Sequence, residues 1–487
     1  MARTNVLFIL TDDQGPWAMG CAGNREIRTP HLDRLAASGA RFSHFFCSSP
    51  VCSPSRASFL TGRMPSQHGV HDWIRHGNVG DDAVAYLVSE VAYTDVLAAN
   101  GWDCALSGKW HLGHSQLQQH GFSHWYVHPR GGGEYNNPEM IRDGELIAEQ
   151  GYVTSLITDD ALAYLDRHAD TLETASPNSE PAPFYLGVHY TAPHSPWTGH
   201  PKSIADSYDD CPFESCPQEP IHPWSVGHGL TEGSLGNREH LQGYFAAVTA
   251  MDADVGRLLD KLDDRGLRQD TLVVFVSDNG FSCGHHGFWG KGNGTFPLNM
   301  FENSVTVPFL VSQPGRIAPG QCVDGLHNAF DLFPTLLDYL ELSPPDDGVD
   351  RPGRSFADIL DGSKRGDPSG HEAVVVDGGE PGRPEYSEYG ASRMVRTGSW
   401  KYVDRGTDQP GELYHLKEDP DERANLVDDI GYGRRRDELH TLLQDWFAAR
   451  VQDSAVDGRQ YPVSGGGQLR PVVGRYGADT EGAFAPR

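Results

Sequence analysis

Positive charge is scarce in this sequence. Among 487 residues, 39 are Lys or Arg against 67 Asp or Glu, which gives a formal net charge of −28. This acidic excess excludes nucleic-acid binding, which needs a basic surface, and docking on anionic membranes. The overall field would also repel an anionic substrate, so a site for one must be locally basic. Only seven residues are lysine, so the position of each lysine is informative.

Long hydrophobic runs are absent as well. No stretch of about 18 apolar residues, the length that a membrane-spanning helix requires, occurs in the chain. The first residues lead directly into an apolar segment at 5–10, without the apolar leader and cleavage site of a secretory signal. We therefore expect a cytoplasmic protein that does not bind membranes.

The cysteines show neither the paired spacing of a metal site nor a tight disulfide framework. They lie at positions 21, 47, 52, 104, 211, 216, 283 and 322. Cys211 and Cys216 flank a short loop and could pair, but a reducing compartment favours free thiols.

Strand and helix signals alternate through most of the chain, whose length exceeds what one core usually supports. The predicted strands are 5–10, 104–107, 183–190, 270–278 and 305–312, and the predicted helices are 30–39, 92–100, 153–168, 238–265 and 331–340. This alternation predicts an α/β fold with a large mixed, mostly parallel sheet sandwiched by helices. In such sheets, ligands bind beyond the carboxyl ends of the strands.

The pattern changes at about residue 372. Short strands are predicted at 374–376, 392–397 and 400–403, followed by a closing helix at 435–450. We therefore predict a catalytic domain at 1–371, a smaller C-terminal α+β domain on a short antiparallel sheet at 372–451, and an irregular arm at 452–487.

Cys52 is followed by a proline and, four residues on, by an arginine, which is unusual for a surface loop. Pro54 suits the first turn of a helix, and Arg56 would lie one turn above Cys52. The free N–H groups of that first turn form an anion site. A nucleophilic thiol usually needs a histidine base, and none is placed locally. The alternative is a buried structural cysteine beside a helix start.

Two strand ends carry oxygen ligands. Asp12 and Asp13 follow the first strand, and Asp278 and Asn279 follow the V-V-F-V strand. Adjacent carboxylates repel each other and usually share a cation, and ligation by oxygen alone favours calcium or magnesium over zinc. Either pair alone could be a helix cap or a turn, but the two together favour a metal site.

Three further segments supply cations at or near strand ends. Lys109 and His111 follow one strand, His194 lies between two prolines after another, and Lys291 is in a glycine-rich loop after the metal strand. At about 4 Å and an effective dielectric near 20, each cation–anion pair contributes about 4 kcal/mol, so several can offset the desolvation of a dianion. Each segment alone could be a solvated lysine or a structural histidine.

Other histidines compete for these roles. His189 is the rival of His194 and is interpreted as structural. His285 and His286 lack a third ligand for a zinc site and are interpreted as loop supports or substrate contacts.

The segment from Cys52 to Arg63 reads C-S-P-S-R-A-S-F-L-T-G-R. It resembles the signature of the formylglycine-dependent sulfatases (type I sulfatases of the alkaline-phosphatase-like superfamily), Cys-x-Pro-Ser-Arg followed by Leu-Thr-Gly-Arg. The resemblance implies that a formylglycine-generating maturation enzyme oxidises Cys52 to an aldehyde. The hydrated aldehyde would then attack the sulfur of a sulfate ester. The run at 411–426 is also similar to the C-terminal domain of this family.

The resemblance further implies the site residues. The implied ligands of Ca²⁺, with Mg²⁺ less favoured, are Asp12, Asp13, Cys52 as formylglycine, Asp278 and Asn279. The implied catalytic residues are Cys52, Arg56, Lys109, His111, His194 and Lys291. In the family, the residue matching His111 takes a proton from the sulfated intermediate, and the one matching His194 protonates the leaving oxygen. Arg56 would hold the hydrated aldehyde, and Asp278 would accept a proton from the attacking hydroxyl.

Two alternatives stay open. A phosphonate monoester or phosphodiester hydrolase of the same superfamily would share the fold and formylglycine, but Asp13 and Asn279 favour sulfate. An unmodified sulfate- or glycan-binding protein would leave Cys52 as a thiol. A small sulfated carbohydrate is the expected substrate, and a homo-oligomer is compatible with the sequence. Candidates for the pocket rim are His71, Asp72, Trp73, Trp197 and Trp289.

Overall fold

The computed structural model describes residues 3–174, 181–226, 230–362, 375–377, 380–381, 383–472 and 482–486. The strands of the large sheet are β1 (Asn5–Thr11), β2 (Ala40–Phe46), β3 (Asp103–Lys109), β4 (Phe122–His128), β5 (Glu139–Arg142), β6 (Glu145–Ala148), β7 (Phe184–His189), β8 (Thr271–Ser277), β11 (Thr306–Val307), β12 (Phe309–Ser312) and β13 (Gln321–Asn328). The short hairpin strands β9 (Ser282–Cys283) and β10 (Trp289–Gly290) and the pair β14 (Val375–Asp377) and β15 (Glu380–Pro381) lie outside it.

The helices are α1 (Pro30–Ala37), α2 (Cys52–Thr61), α3 (Pro65–His68), α4 (Tyr93–Ala99), α5 (Val153–Thr174), α6 (Lys202–Asp206), α7 (Leu230–Ser234), α8 (Arg238–Asp264), α9 (Glu302–Val305), α10 (Leu332–Tyr339), α11 (Ala357–Asp361) and α12 (Gly433–Arg450). Among the residues that the structure describes, no helix is both long and apolar enough to cross a membrane.

The large sheet is mixed, with a parallel centre. Its strand order is β11-β2-β12-β8-β1-β7-β3-β4-β5-β6, and β13 pairs with β2. The central strands β8, β1, β7, β3 and β4 are parallel, whereas β12 at one side and the β5–β6 hairpin at the other are antiparallel. Because the central strands are parallel, their carboxyl ends share one edge of the sheet, and this edge carries the candidate site.

Alternate residues of β1 enter two different cores. Val6 and Phe8 join a cluster with Phe59 of α2 on one face, while Leu7 joins a cluster with Leu258 of α8 on the other. Helices therefore cover both faces of the sheet, which confirms the predicted fold class. A strand buried on both faces reads as a continuous apolar run, as this one does.

The C-terminal region forms a second, smaller sheet. Its antiparallel strands, in order, are β16 (Glu385–Tyr389), β17 (Ser392–Arg396), β18 (Trp400–Asp404) and β19 (Glu412–His415). Leu439, Leu443 and Phe447 of α12 are buried against it. The predicted boundary at 371/372 lies outside the described residues, so the domain limits stay predictions.

The structure differs from the predicted elements in several ways, and the strands β2, β4 and β13 and the β5–β6 hairpin were not predicted. The strand predicted at 305–312 is divided at Pro308 into β11 and β12, since proline has no N–H to donate to a ladder. The described part of the predicted arm is irregular, but it packs back on the catalytic domain: Gln468 is fully buried and bridges to Ile74.

Candidate active site

The predicted site residues meet at the carboxyl edge of the parallel strands. Asp12 and Asp13 follow β1, Asp278 follows β8, and Lys109 ends β3. Cys52 is the first residue of α2 and is 3% exposed. Asp13 and Asn279, 266 positions apart in the sequence, are thus brought into one cluster, because neighbouring parallel strands end side by side.

The acidic residues are buried together. Asp12 and Asp278 are fully buried, and the side-chain amide of Asn279 donates to Asp13 Oδ1 at 2.8 Å. Burial, with the nearby charge of Asp12, raises the pKa of Asp278. Burial also acts to raise the pKa of Asp12. The nearby Lys109 and His194 outweigh this effect, so the pKa of Asp12 lies below the ordinary value.

Two buried oxygens of this cluster, Asp12 Oδ1 and Asn279 Oδ1, accept no hydrogen bond from the residues that the structure describes. Ligand atoms of Asp12, Asp13 and His194 also lie within 4.8 Å of one another. Buried oxygen atoms without a partner are costly unless a cation or donor satisfies them. An oxygen-rich set of this kind fits a hard divalent cation such as Ca²⁺ or Mg²⁺.

Two buried lysines neutralise the carboxylates. Lys109 Nζ donates to Asp12 Oδ2. Lys291 Nζ lies 2.5 Å from Asp13 Oδ1 and 3.6 Å from the sulfur of Cys52. Burial opposes the charge of Lys291, but the nearby carboxylates, Asp13 above all, outweigh it and hold its pKa well above the ordinary value. Lys291 is therefore a cation at neutral pH.

Arg56 ties the start of α2 to the two strand ends. Its Nε donates to Asp278 Oδ2 at 2.8 Å, and a terminal nitrogen donates to the carbonyl of Lys109 at 3.0 Å. The guanidinium is buried beside Asp278 and holds it in place. Burial raises the pKa of the Cys52 thiol, with Lys109 and Lys291 only partly opposing it. Because a nucleophilic cysteine needs a lowered pKa, an unmodified Cys52 is a poor nucleophile here.

His111 has a defined tautomer. Its Nε2 lies 3.0 Å from the carbonyl oxygen of Ile74, which can only accept, so Nε2 carries the proton. Its Nδ1 is buried, has no hydrogen-bond partner in the described part of the chain and is left with a free lone pair. Burial and then Lys109 lower the pKa of His111 well below the ordinary value, so the ring is neutral at pH 7.

His194 is held through its other ring nitrogen. Its Nδ1 donates to the carbonyl of Ser195 at 2.8 Å, and its Nε2 lies 3.8 Å from Asp13 Oδ2. A glycine segment lies against both histidines: a Cβ on Gly131 would come within 2.3 Å of the His111 ring, and one on Gly132 within 3.1 Å of the His194 ring. These glycines let the backbone approach the rings closely.

A cavity of about 430 Å³ opens onto this cluster. Of the predicted site residues, the cavity is lined by Asp13, Cys52, His111, His194 and Lys291, whereas Asp12, Arg56, Lys109, Asp278 and Asn279 are absent from its described lining. It is also lined by Trp73, Arg75, Asn78 and Arg130. Of these four residues, the sequence predicts only Trp73 as part of the pocket rim. A single arginine or asparagine outside a motif gives no indication in one sequence that it lines a pocket.

Most of the other rim candidates are placed elsewhere. Trp197 and Trp289 are 3% and 1% exposed and pack together in a core, with ring centroids 4.9 Å apart. His71 and Asp72 are also buried and do not line the cavity. The prediction that these residues form a rim is therefore wrong except for Trp73, since their neighbours in the sequence could not reveal that they are enclosed by distant segments.

His189, His285 and His286 make structural contacts. His285 lies 3.1 Å from the carbonyl of Ser215, and His286 stacks on Phe301 at 4.0 Å. Neither lines the cavity, so they act as loop supports and not as substrate contacts. His189 bonds the carbonyl of Lys109, and burial lowers its pKa to about 3. The eight cysteines are free, including Cys211 and Cys216.

Comparison with known proteins identifies the family. The sulfatase family model matches residues 4–342, and a model described as N-sulphoglucosamine sulphohydrolase, C-terminal, matches residues 284–449. The ulvan-active sulfatase of Formosa agariphila is 30% identical over 466 residues, which cover 92% of this chain and 81% of the relative. The choline-sulfatase of Rhizobium meliloti is 30% identical over 464 residues, which cover 88% of this chain and 83% of the relative.

A third relative is the N-acetylglucosamine-6-O-sulfatase of Bacteroides thetaiotaomicron. It is 25% identical over 520 residues, which cover 91% of this chain and 86% of the relative. A protein solved in complex with its substrate D-glucosamine-2-N,6-O-disulfate shares the fold, with a TM-score of 0.74, 24% identity and coverage of 94% of this chain and 100% of that one. The chain therefore belongs to the sulfatase family and is a sulfuric ester hydrolase.

Proposed function

We propose that this sulfatase removes sulfate from a small sulfated carbohydrate, with formylglycine formed from Cys52 as the nucleophile and Ca²⁺ as the bound metal. The place of Cys52 supports this most directly. Its sulfur faces the Lys291 ammonium at 3.6 Å, and it lines a cavity beside a buried cluster of oxygen ligands. Its raised pKa disfavours a thiolate mechanism, whereas a hydrated aldehyde at residue 52 supplies a hydroxyl for attack on sulfur.

The metal ligands would be Asp12, Asp13, Asp278 and Asn279, together with residue 52. The buried oxygens Asp12 Oδ1 and Asn279 Oδ1, which accept no hydrogen bond from the described residues, support these two ligands of the set. When bound, a divalent cation supplies positive charge to the sulfate oxygens and to the attacking hydroxyl. Ca²⁺ is favoured over Mg²⁺ because it accepts more oxygen ligands in less regular geometry.

His111 would take a proton from the sulfated intermediate formed at residue 52. Its Nδ1 has a free lone pair because the Ile74 carbonyl holds the proton on Nε2. The neutral ring can accept one proton at Nδ1, as a general base requires. The partner that fixes this tautomer is a backbone carbonyl, so the orientation of His111 depends on the position of residue 74.

His194 and Lys291 would serve the leaving group. His194 lines the cavity, and its Nε2 is directed to the site because Nδ1 is engaged by Ser195. Because Nδ1 already donates to Ser195, His194 can give a proton from Nε2 to the departing oxygen only when the ring is doubly protonated. The Lys291 ammonium, next to Asp13, would neutralise charge on the sulfate. Lys109 neutralises the buried carboxylate of Asp12.

A small sugar is supported by two observations. The cavity of about 430 Å³ is at the lower end of the range for small-molecule sites, and the Trp73 ring offers a flat apolar face of the kind that carries sugar rings. Two of the relatives described above are named for sulfated carbohydrates, and one is named for choline sulfate.

The test is a substrate panel. Protein co-expressed with a formylglycine-generating enzyme is assayed for sulfate release from 6-O-sulfated amino sugars, a sulfated disaccharide, choline sulfate and 4-nitrophenyl sulfate. The same preparation is assayed with a phosphodiester, and Cys52→Ala is the inactive control. We expect the highest kcat/KM on a sulfated sugar. A higher kcat/KM on choline sulfate or on the phosphodiester would contradict the proposal.

A further inference from the structure

The segment 71–78, which follows α3, forms part of the cavity lining. Trp73, Ile74, Arg75 and Asn78 all line it. The backbone of this segment pairs with the C-terminal arm: Arg75 N donates to the carbonyl of Gln468 at 2.8 Å, and Gln468 N donates to the carbonyl of Trp73 at 2.8 Å. In such an extended segment, residues 73 and 75 point to the same side.

Arg75 has no carboxylate within ion-pair distance among the described residues. Its guanidinium donates to the carbonyl of Gly466 at 3.3 Å and lies 6.0 Å from the centroid of the Trp73 ring. Arg130, the other arginine that lines the cavity, differs in this respect, because it forms an ion pair with Glu139 at 3.0 Å. The charge of Arg75 is therefore available to a ligand, whereas the charge of Arg130 is already balanced.

The cavity offers little repulsion to an anion at this position. Asp13 is the one acidic residue among the described residues that line it, and its carboxylate is bonded to Lys291. In a chain with a formal net charge of −28, this lining is locally basic, because with Lys291 bonded to Asp13 and Arg130 paired with Glu139 the charge of Arg75 remains for a ligand. Local charge of this kind selects anionic ligands against the overall field.

We infer that Arg75 binds a second oxyanion of the substrate, a carboxylate or a second sulfate, on a sugar ring that lies against Trp73. This inference rests on the proposed function, since it adds a binding subsite to the cavity where the sulfate ester is cleaved. A guanidinium presents paired N–H donors that match the two oxygens of a carboxylate or sulfate. The pairing of Arg75 and Trp73 with the arm holds this subsite in place before substrate binds, which reduces the entropy lost on binding.

The experiment uses two matched pairs of substrates with the matured, full-length protein. One pair is D-glucosamine-2-N,6-O-disulfate and N-acetyl-D-glucosamine 6-sulfate, which differ in the second sulfate. The other pair is a sulfated disaccharide that contains a uronate and the same disaccharide with its carboxyl group reduced. We expect the doubly anionic member of one pair to have a kcat/KM at least about tenfold higher, and the pair that shows this preference distinguishes sulfate from carboxylate.

Arg75→Gln should reduce this preference to less than about threefold, mainly through a higher KM. Arg75→Lys should restore part of it, because lysine keeps the charge but not the forked donors. Arg130→Gln is the matched control: it removes the same charge at the same cavity and should leave most of the preference, since Glu139 already balances Arg130.

Two outcomes would overturn the inference. Wild-type protein could cleave the singly anionic substrates without preferring a doubly anionic one, or Arg75→Gln could keep the full preference; either leaves the carbohydrate sulfatase proposal intact. Absence of sulfate release from all four sugars, with turnover of 4-nitrophenyl sulfate, would instead overturn both the inference and the proposed substrate class.

Discussion

Replacement of Gln468 should impair catalysis although this residue is in the C-terminal arm, outside the cavity lining. Its side-chain oxygen accepts from the backbone N–H groups of His71 and Asp72 at 2.8 and 3.4 Å, and its amide donates to the carbonyls of Gly69 and Arg470 at 3.1 and 3.2 Å. Gln468→Met keeps a similar volume but removes these four bonds. Any loss of activity in Gln468→Met is therefore due to the lost hydrogen bonds and not to a packing void.

The magnitude follows from the bonds lost. A buried hydrogen bond contributes about 1 kcal/mol net, and the longest of the four contributes least, so docking of the arm should weaken by about 2–4 kcal/mol. That lowers the ratio of docked to undocked arm by roughly 30- to 1,000-fold. The segment that holds Ile74 then becomes mobile, and His111 loses the carbonyl that fixes its tautomer. We expect kcat to fall by about tenfold or more.

Amide hydrogen exchange and steady-state kinetics check this prediction together. The amides of Arg75 and Gln468, whose bonds join the two segments, should exchange faster in Gln468→Met. Gln460→Met makes the same substitution at an exposed position of the arm and should change neither exchange nor kcat. If Gln468→Met keeps kcat within about twofold of wild type while those amides exchange faster, the arm does not position His111.

Three further predictions concern the metal, the histidine contacts and acid stability. Ca²⁺ added to chelator-treated protein should raise the unfolding temperature as well as restore activity, because it offsets repulsion within the acidic cluster; an unfolding temperature that is unchanged by Ca²⁺ contradicts the metal assignment. Gly131→Ala should lower kcat more than Gly132→Ala, because the added Cβ would lie 2.3 Å from His111 but 3.1 Å from His194; equal effects would refute this. Burial lowers the pKa of His71 and His327 to about 4 and that of His286 to about 3. A histidine in the unfolded chain titrates near 6.5, so below that pH the unfolded state binds protons that the buried histidines do not. The free energy of unfolding is therefore highest above pH 6.5 and decreases as the pH falls toward 4, by about 1.4 kcal/mol per pH unit for each histidine. Urea unfolding between pH 7 and 4.5 measures the loss; a free energy of unfolding that is constant over this range contradicts it.

Four of the five parallel central strands, β1, β3, β7 and β8, could be predicted because their signals are local, whereas β4 was not predicted. The apolar run of β1 and its Asp12-Asp13 end, and the V-V-F-V run of β8 with Asp278 at its end, can be recognised in the sequence. The segment of β2, A-R-F-S-H-F-F, alternates apolar and polar residues only in its first half, so its strand signal is weak. Asp143-Gly144 between β5 and β6 is a typical hairpin turn.

The cavity walls could not be predicted, because they form between segments that are far apart in the sequence. The bond between Gln468 and His71 spans 397 positions, and no pattern near either residue indicates it. Burial of Trp197 and Trp289 in one core likewise depends on distant neighbours. The domain limits, the cytoplasmic location and the roles of the individual site residues stay predictions until experiments test them.

The most direct measurement is the mass of the tryptic peptide that runs from Phe42 to Arg56, taken from a preparation whose sulfatase turnover is measured in parallel. This peptide carries Cys47 and Cys52, so fragmentation gives an internal control. We predict that sulfur is replaced by oxygen, with loss of two hydrogens, at residue 52, while Cys47 keeps its thiol. The account is contradicted if residue 52 is an unmodified cysteine in a preparation that turns over a sulfate ester.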